Sequence, residues 1–362
     1  MSFARVVALD GLSGRYVGSL VLTAWPGWGF FDALHSQIGT IGKRYVPHGE
    51  TDMQGVLNAN LSEQAQNLYE QFNHAEPFRH VLITDFLASP FLESVSRCFP
   101  QPVEEEMLSE FGDRSLKHTV EDLGALGGPF PQWDALLKSR EFIGWLETVT
   151  GIPGLIFDPA YVGAGTHNNF SGQSLDMHID FNRHPVNGLH RRLNLIVYLC
   201  PEWDLSWGGC LKLQKDAWDR TGHQQERVYP PFMNHAVLFE TNERSWHGFD
   251  EIKLPEDKQH LSRRSLTVYY YSKHRETNDV ADEHSTIYVP DWIPPSVKPG
   301  EVLSESAYRD LEKVMYRRDH YLQHLYKRER TALDRAADAL RRIAHLDRLH
   351  RLIRLLMPWR YR

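Results

Sequence analysis

His178 and Asp180 stand two residues apart in "SLDMHIDFNRH", and His247 follows in "NERSWHGFDE". On a strand, side chains at i and i+2 leave the same face, so one short segment delivers an imidazole and a carboxylate together. His247, at a turn just after the strand-like run "HAVLFET", adds a second imidazole. Two nitrogen donors and one oxygen donor on one face suit a redox-competent divalent metal such as Fe(II), with coordination positions left open for other ligands. Further residues bear on what those positions would hold. In "SRRSLTVYYYS", Arg263, Ser265 and Thr267 share one strand face, while Arg264, Leu266 and Val268 take the other. A guanidinium fork binds carboxylates bidentately, and hydroxyls beside it add hydrogen bonds. Asn194, Ile196 and Tyr198 share a face of "RLNLIVYLCPEW", from which the Tyr198 phenol can meet the same carboxylate.

These residues need strands to hold them, and the sequence supplies strand texture in the right place. From about 154 to 273 it runs in short segments, "LIFDPAYVGAG", "RLNLIVYLC", "GGCLKLQ" and "HAVLFET" among them, separated by Gly, Pro and Asn turns. Repeated strands of this length predict a mainly β domain, a sandwich or barrel such as a jelly roll. Upstream, "FRHVLITDFLASPFLESVSRCFP" reads as a strand, a turn at Asp85 and a short helix ended before Pro100. Residues 1–77 contain a helical Gln- and Asn-rich stretch but no motif with chemistry, and are taken as an N-terminal extension. The Pro-rich 289–303 segment reads as a linker, and 304–362 as a helical segment rich in Leu, Ala, Arg and Glu.

In this order the pieces "HIDFN", "RRLNLIVYLCPEW", "WGGCLKL", "SWHG" and "RRSLTVYYY" resemble the Fe(II)/2-oxoglutarate-dependent oxygenases, in particular their prolyl 4-hydroxylase-like branch. The likeness runs from about Phe78 to Ser272, within a domain drawn at 78–288. It implies a double-stranded β-helix, a form of jelly roll, with flanking helices. It also implies that His178, Asp180 and His247 bind Fe(II), and that Arg263, assisted by Tyr198, Ser265, Thr267 and Asn194, holds 2-oxoglutarate. Arg264 is the rival to Arg263, because the stretch between His247 and Arg263 is longer than in many relatives. The implied reaction consumes O2, releases succinate and CO2, and hydroxylates an unactivated C–H bond of a peptidyl or small-molecule substrate, with ascorbate as a candidate reductant. A carboxylate at 180 leaves no ligand position for chloride, which favours hydroxylation over halogenation. Two alternatives are a catalytically silent jelly-roll scaffold and a cupin-type metal dioxygenase that does not use 2-oxoglutarate.

The rest of the sequence sets bounds on this reading. Cys98, Cys200 and Cys210 form no CxxC or paired pattern, so a reduced, cytoplasmic protein is expected and a zinc-thiolate site is not. Asp10, Arg15 and several glycines interrupt the N-terminal apolar residues before a signal peptide or membrane span develops. His167, His184, His190 and His235 read as hydrogen-bonded polar residues rather than ligands, with His184 the one best placed to line a pocket. Trp203, Trp207 and Trp246 read as packing residues, and Gly208 and Gly209 as a turn entering a strand. Charge is uneven: residues 301–362 hold 15 Lys and Arg against 9 Asp and Glu, a surplus of +6 in a chain whose net charge is −7. The basic, apolar-striped helix there can dock on the domain, self-associate or touch a membrane surface. Without an aromatic platform or groove-reading motif, nucleic acid is not expected as a partner.

Overall fold

The computed structural model describes residues 5–9, 16–21 and the span 53–356, apart from 104–106, 108–115, 220–224, 291 and 295. Residues 1–50 and 51–362 are separate compact units. In the first, β1 (Arg5–Leu9) and β2 (Tyr16–Val21) pair antiparallel.

The second unit holds two antiparallel sheets. Its strands are β3 (His80–Ile83), β4 (Lys117–Val120), β5 (Ile156–Phe157), β6 (Gly165–Asn169), β7 (Leu175–Ile179) and β8 (His190–Tyr198). They continue with β9 (Leu211–Gln214), β10 (Glu226–Tyr229), β11 (Ala236–Glu240), β12 (Trp246–Phe249), β13 (Arg263–Ser272) and β14 (Ile287–Val289). The larger sheet has the order β3-β11-β8-β13-β6-β4, with β5 also on β13, and the smaller has the order β10-β9-β12-β7-β14. From β6 to β13 the chain passes back and forth between the sheets, with β6, β8, β11 and β13 in the larger and β7, β9, β10 and β12 in the smaller. That alternation is a double-stranded β-helix, the jelly-roll form that the strand texture predicts.

Covering one face of the larger sheet is a layer of helices: α1 (Leu61–His74), α2 (Ser89–Arg97), α3 (Phe130–Leu137) and α4 (Arg140–Thr150). Leu193, Leu195 and Val197 of β8 and Leu266 and Val268 of β13 are buried in one cluster with Leu68 and Phe72 of α1 and Phe142, Trp145, Leu146 and Val149 of α4. Full burial of each such side chain contributes about 1.5–3 kcal/mol. Helix α4 is sharply bounded: Ser139 Oγ accepts from the Phe142 amide, and Gly151, at a φ of 68°, donates its amide to Glu147 O. Trp145 Nε1 donates to Leu61 O at 3.1 Å and ties α4 to α1. Residues 53–77, assigned on sequence to the N-terminal extension, belong to this layer. Met53, Val56, Leu57 and the Leu61, Leu68 and Phe72 stripe of α1 are buried in the main core.

Strand β14 extends to Val289, so the Pro-rich connection begins one residue beyond its expected start. It leads to α5 (Glu305–Leu356), whose first turn is capped by Ser304 Oγ accepting from the Ala307 amide. Near its start, α5 contacts the smaller sheet and its flanking turn: Lys313 pairs with Glu251 at 3.0 Å, and Arg317 and Tyr321 both reach Asp176. Further on, Leu325, Tyr326, Leu333, Leu340 and Ile343 are exposed. Among the described residues, no helix is long and apolar enough to cross a membrane.

Candidate metal centre

Strands β7 and β12 are neighbours, and His178 and His247 are direct partners across them, with ring centroids 4.2 Å apart. Each imidazole is fixed from behind. His178 Nδ1 meets Asp176 O at 2.8 Å, and His247 Nδ1 meets Ser245 O at 2.9 Å. A carbonyl oxygen only accepts, so each Nδ1 carries a proton and Nε2 is the ring atom turned toward the site as the one that can ligate a metal. The two Nε2 atoms lie 3.8 and 3.5 Å from the Asp180 carboxylate oxygens, and one ligand atom from each of the three residues falls within 4.8 Å of the others. Burial, followed by the adjoining His178, lowers His247 to about 4, so its imidazole is neutral near pH 7. For Asp180, burial pushes the carboxyl upward. Arg191, His247, His178 and the hydrogen bond from Asn194 outweigh it and hold the group at about 2. Neutral imidazoles and an ionised carboxylate are the protonation states that metal binding requires, and this donor set fits non-haem Fe(II).

Asp180 is held in turn. Asn194 Nδ2 donates to its Oδ2 at 2.8 Å, and Arg191 Nη2 lies 3.0 Å from the same oxygen. Arg191 also donates through Nε and Nη2 to Asn194 Oδ1, with its guanidinium 4.5 Å from the Phe181 ring centroid and 3.5 Å from that of Tyr269. Asn194, expected among the 2-oxoglutarate contacts, is thus bonded to the Asp180 carboxylate and also lines the cavity. Arg191 is a residue that strand alternation hides, because 191 and 194 should face opposite ways. The β8–β13 register slips between Tyr270 and Tyr271, where Leu193 and then Arg191 are the partners, and this irregularity at Arg192 re-aims Arg191 toward Asn194.

Across the cavity, Arg263 is buried and no carboxylate pairs with it among the described residues. Its Nε donates to Gly209 O at 2.7 Å and its Nη2 to Tyr198 Oη at 3.0 Å, while the guanidinium lies 4.2 Å from the Phe249 ring centroid. That leaves three of the five guanidinium donors unspent on the described residues. Ser265 Oγ, Thr267 Oγ1 and His167 Nε2 are buried without a hydrogen-bond partner, and all three residues line the same cavity as Arg263. Orphaned donors and acceptors around an uncompensated cation are the signature of a missing anionic ligand. The residues present therefore fit a dicarboxylate such as 2-oxoglutarate. Tyr198 is fully buried behind Arg263, and Arg264 faces away, donating to Ser262 Oγ and lying 5.6 Å from the Phe99 ring centroid.

His167 was readable only as a polar strand residue. It enters the site because Ser265 is its direct β13 partner, and burial, then Lys117 and Arg263, keep its imidazole neutral. His184 lies outside the cavity lining, 3.3 Å from the Asp158 carboxylate and edge-on to Tyr271. Gly208 and Gly209 adopt positive φ of 70° and 67° in the turn before β9. A Cβ on Gly209 would come within 2.9 Å of Trp203, so the close approach that lets its carbonyl accept from Arg263 requires glycine.

The metal-ligand set and Arg263 share one cavity of about 580 Å³ between the two sheets, with Lys117, Glu121 and Gln173 also in its lining. Residues 165–271, from β6 to within β13, match the model of the 2OG-Fe(II) oxygenase superfamily. The chain is 26% identical over 235 residues to the mouse prolyl 3-hydroxylase OGFOD1, a match that covers 61% of this chain and 39% of that protein's length. Among solved structures it is similar to a prolyl 4-hydroxylase from Phytophthora capsici, at 18% identity and a TM-score of 0.43, covering 64% of this chain and 70% of the other. It is also similar to a Trichoplax adhaerens prolyl hydroxylase solved with a hypoxia-inducible-factor peptide, at 14% identity and a TM-score of 0.42, covering 59% and 91%. The matched span contains both histidines, the aspartate and the arginine on a double-stranded β-helix, and over that span the chain is similar to the 2OG-Fe(II) oxygenase superfamily.

Proposed function

We propose that the protein is an Fe(II)- and 2-oxoglutarate-dependent hydroxylase. The observation that carries this reading is the pairing, in one cavity, of a preorganised His178, Asp180 and His247 set with a buried Arg263 that has no carboxylate partner among the described residues. His178, Asp180 and His247 hold the iron, with Arg191 and Asn194 fixing the Asp180 carboxylate. Arg263, backed by Tyr198 and Gly209, pairs with the distal carboxylate of 2-oxoglutarate, and Ser265, Thr267 and His167 satisfy their orphaned atoms on the same ligand. Bound Fe(II), 2-oxoglutarate and O2 together supply oxidative decarboxylation to succinate and CO2, coupled to hydroxylation of an unactivated C–H bond. The protein's share is placement of the two ligand sets and a walled cavity between sheets. The arginine argues against a cupin-type dioxygenase without 2-oxoglutarate, and the complete ligand set argues against a silent scaffold.

For the substrate, the relative that is a prolyl 3-hydroxylase supports peptidyl proline as the first class to test, ahead of free amino acids and other small molecules. Of the roles open to the basic tail, the contacts of Lys313, Arg317 and Tyr321 support docking on the oxygenase domain. The deciding assay incubates the protein with Fe(II), 2-oxoglutarate, ascorbate and a library of proline-containing peptides. Succinate formed in step with a peptide mass gain of one oxygen supports the reading. Succinate without peptide oxidation moves the substrate to small molecules, and no succinate with any substrate overturns the hydroxylase assignment.

A further inference from the structure

We propose that α5 is a positioning element of the metal centre, acting on His178 through Asp176 and Tyr288. This rests on the hydroxylase reading for its functional meaning, and on two contact routes for its substance.

The first route runs through the β7 backbone. Asp176 is buried, and its carboxylate accepts from Arg317 Nη1 and from the Tyr321 hydroxyl, both at 2.6 Å. Arg317 Nη2 also donates to Ser174 Oγ at 2.8 Å. Arg317 and Tyr321 are four apart, so one helical face makes all three bonds. Asp176 reaches α5 because the β7–β12 register slips between His247 and Phe249, whose partners are His178 and Leu175. Such a slip re-aims side chains: His178 lines the metal cavity, Asp176 and Met177 line a separate hollow that also includes Arg317, and Leu175 borders both. The carbonyl of the same Asp176 fixes the His178 tautomer. A side chain held by α5 thus belongs to the residue whose main chain orients a metal ligand.

The second route is a stack of rings. Tyr288 of β14 is the direct strand partner of His178, with ring centroids 5.2 Å apart, and it lines the cavity. It also stacks on Tyr321, with centroids 5.0 Å and planes 8° apart. Tyr321 therefore serves both routes, bonding Asp176 through its hydroxyl and buttressing Tyr288 through its ring.

Partners hydrogen-bonded directly to a metal ligand typically change metal affinity by about 10- to 100-fold when removed, and the α5 contacts lie one step further out, so the low end of that range is expected. The test compares wild type, Tyr321→Phe, the Arg317→Met/Tyr321→Phe double variant and Lys313→Met. The last breaks an α5 contact to Glu251 and leaves Asp176 alone. Phe keeps the ring on Tyr288, so the double variant isolates the Asp176 route without stripping the helix from the sheet. Two quantities are read: amide hydrogen exchange of residues 175–179 and 287–289 in metal-free protein, and the Fe(II) dissociation constant measured anaerobically. The proposal predicts faster exchange in 175–179 and about tenfold weaker Fe(II) binding in the double variant, a smaller effect of Tyr321→Phe, and none from Lys313→Met. Unchanged exchange and affinity in the double variant would overturn it, as would equal loosening by Lys313→Met, which would make α5 a general stabiliser. The metal-free exchange decides the coupling by itself, whereas wild type that binds no Fe(II) would count against the hydroxylase reading.

Discussion

Arg191, itself buried, holds the half-buried Asp180 carboxylate, which must stay ionised to bind a metal. Arg191→Met leaves Asp180 without its closest cation, and breaking a buried pair from one side costs about 3–5 kcal/mol. The loss should be largest in metal-free protein and smaller with Fe(II) bound, because the metal supplies replacement positive charge; urea unfolding with and without chelator measures both. Its pH dependence has a fixed sign. Asp180 in the fold sits at about 2, below its ordinary 3.8. Its contribution is therefore fully present above pH 3.8 and fades as pH falls toward 2, so the gap between wild type and Arg191→Met should narrow below about pH 4. Arg263 makes a different prediction. Lys in its place keeps the charge but loses the fork and its bonds to Gly209 and Tyr198. Arg263→Lys should therefore raise the dissociation constant for 2-oxoglutarate about tenfold or more and leave Fe(II) affinity unchanged in direct titrations of each ligand.

Among the elements, alternation along strands made most of the site legible and irregularities in register hid the rest. His178 with Asp180, and Arg263 with Ser265 and Thr267, follow the two-residue period and meet in the cavity. Arg191 and the α5-facing Asp176 do not, because each lies at or beside a slip that the period cannot reveal. Asn194 was read onto the correct face, but its partner was not readable, since Asp180 and an incoming ligand lie on the same side. Helix α1 was visible as a helix but not as part of the core: its buried stripe is three residues wide in a Gln- and Asn-rich background. Gly248 looks incidental in "SWHG", yet a Cβ there would come within 2.6 Å of Leu175 O and 3.0 Å of Asp176 O. The second of these oxygens accepts from His178. Gly248→Ala should therefore destabilise the fold by about 1–3 kcal/mol and weaken Fe(II) binding, whereas a mere packing effect would lower the melting temperature alone.

Over the whole molecule, the uneven charge seen in the sequence finds partial use. Lys313 and Arg317 of the basic segment meet Glu251 and Asp176 of the acidic domain, and these contacts place α5 beside the strand that bears His178. Metal binding to such a preformed site stabilises the folded state by mass action, about 2.7 kcal/mol when free Fe(II) is one hundred times its dissociation constant. Thermal unfolding should accordingly shift upward with Fe(II) in wild type and not in Asp180→Ala.

The most direct measurement is an anaerobic titration of the iron-loaded protein with 2-oxoglutarate, following the weak visible metal-to-ligand charge-transfer band. A band in wild type that is absent in His178→Ala, and that requires about tenfold or more 2-oxoglutarate in Arg263→Ala, is the predicted result. No band in folded, iron-loaded wild type would contradict the assignment of the cavity as an Fe(II)/2-oxoglutarate site.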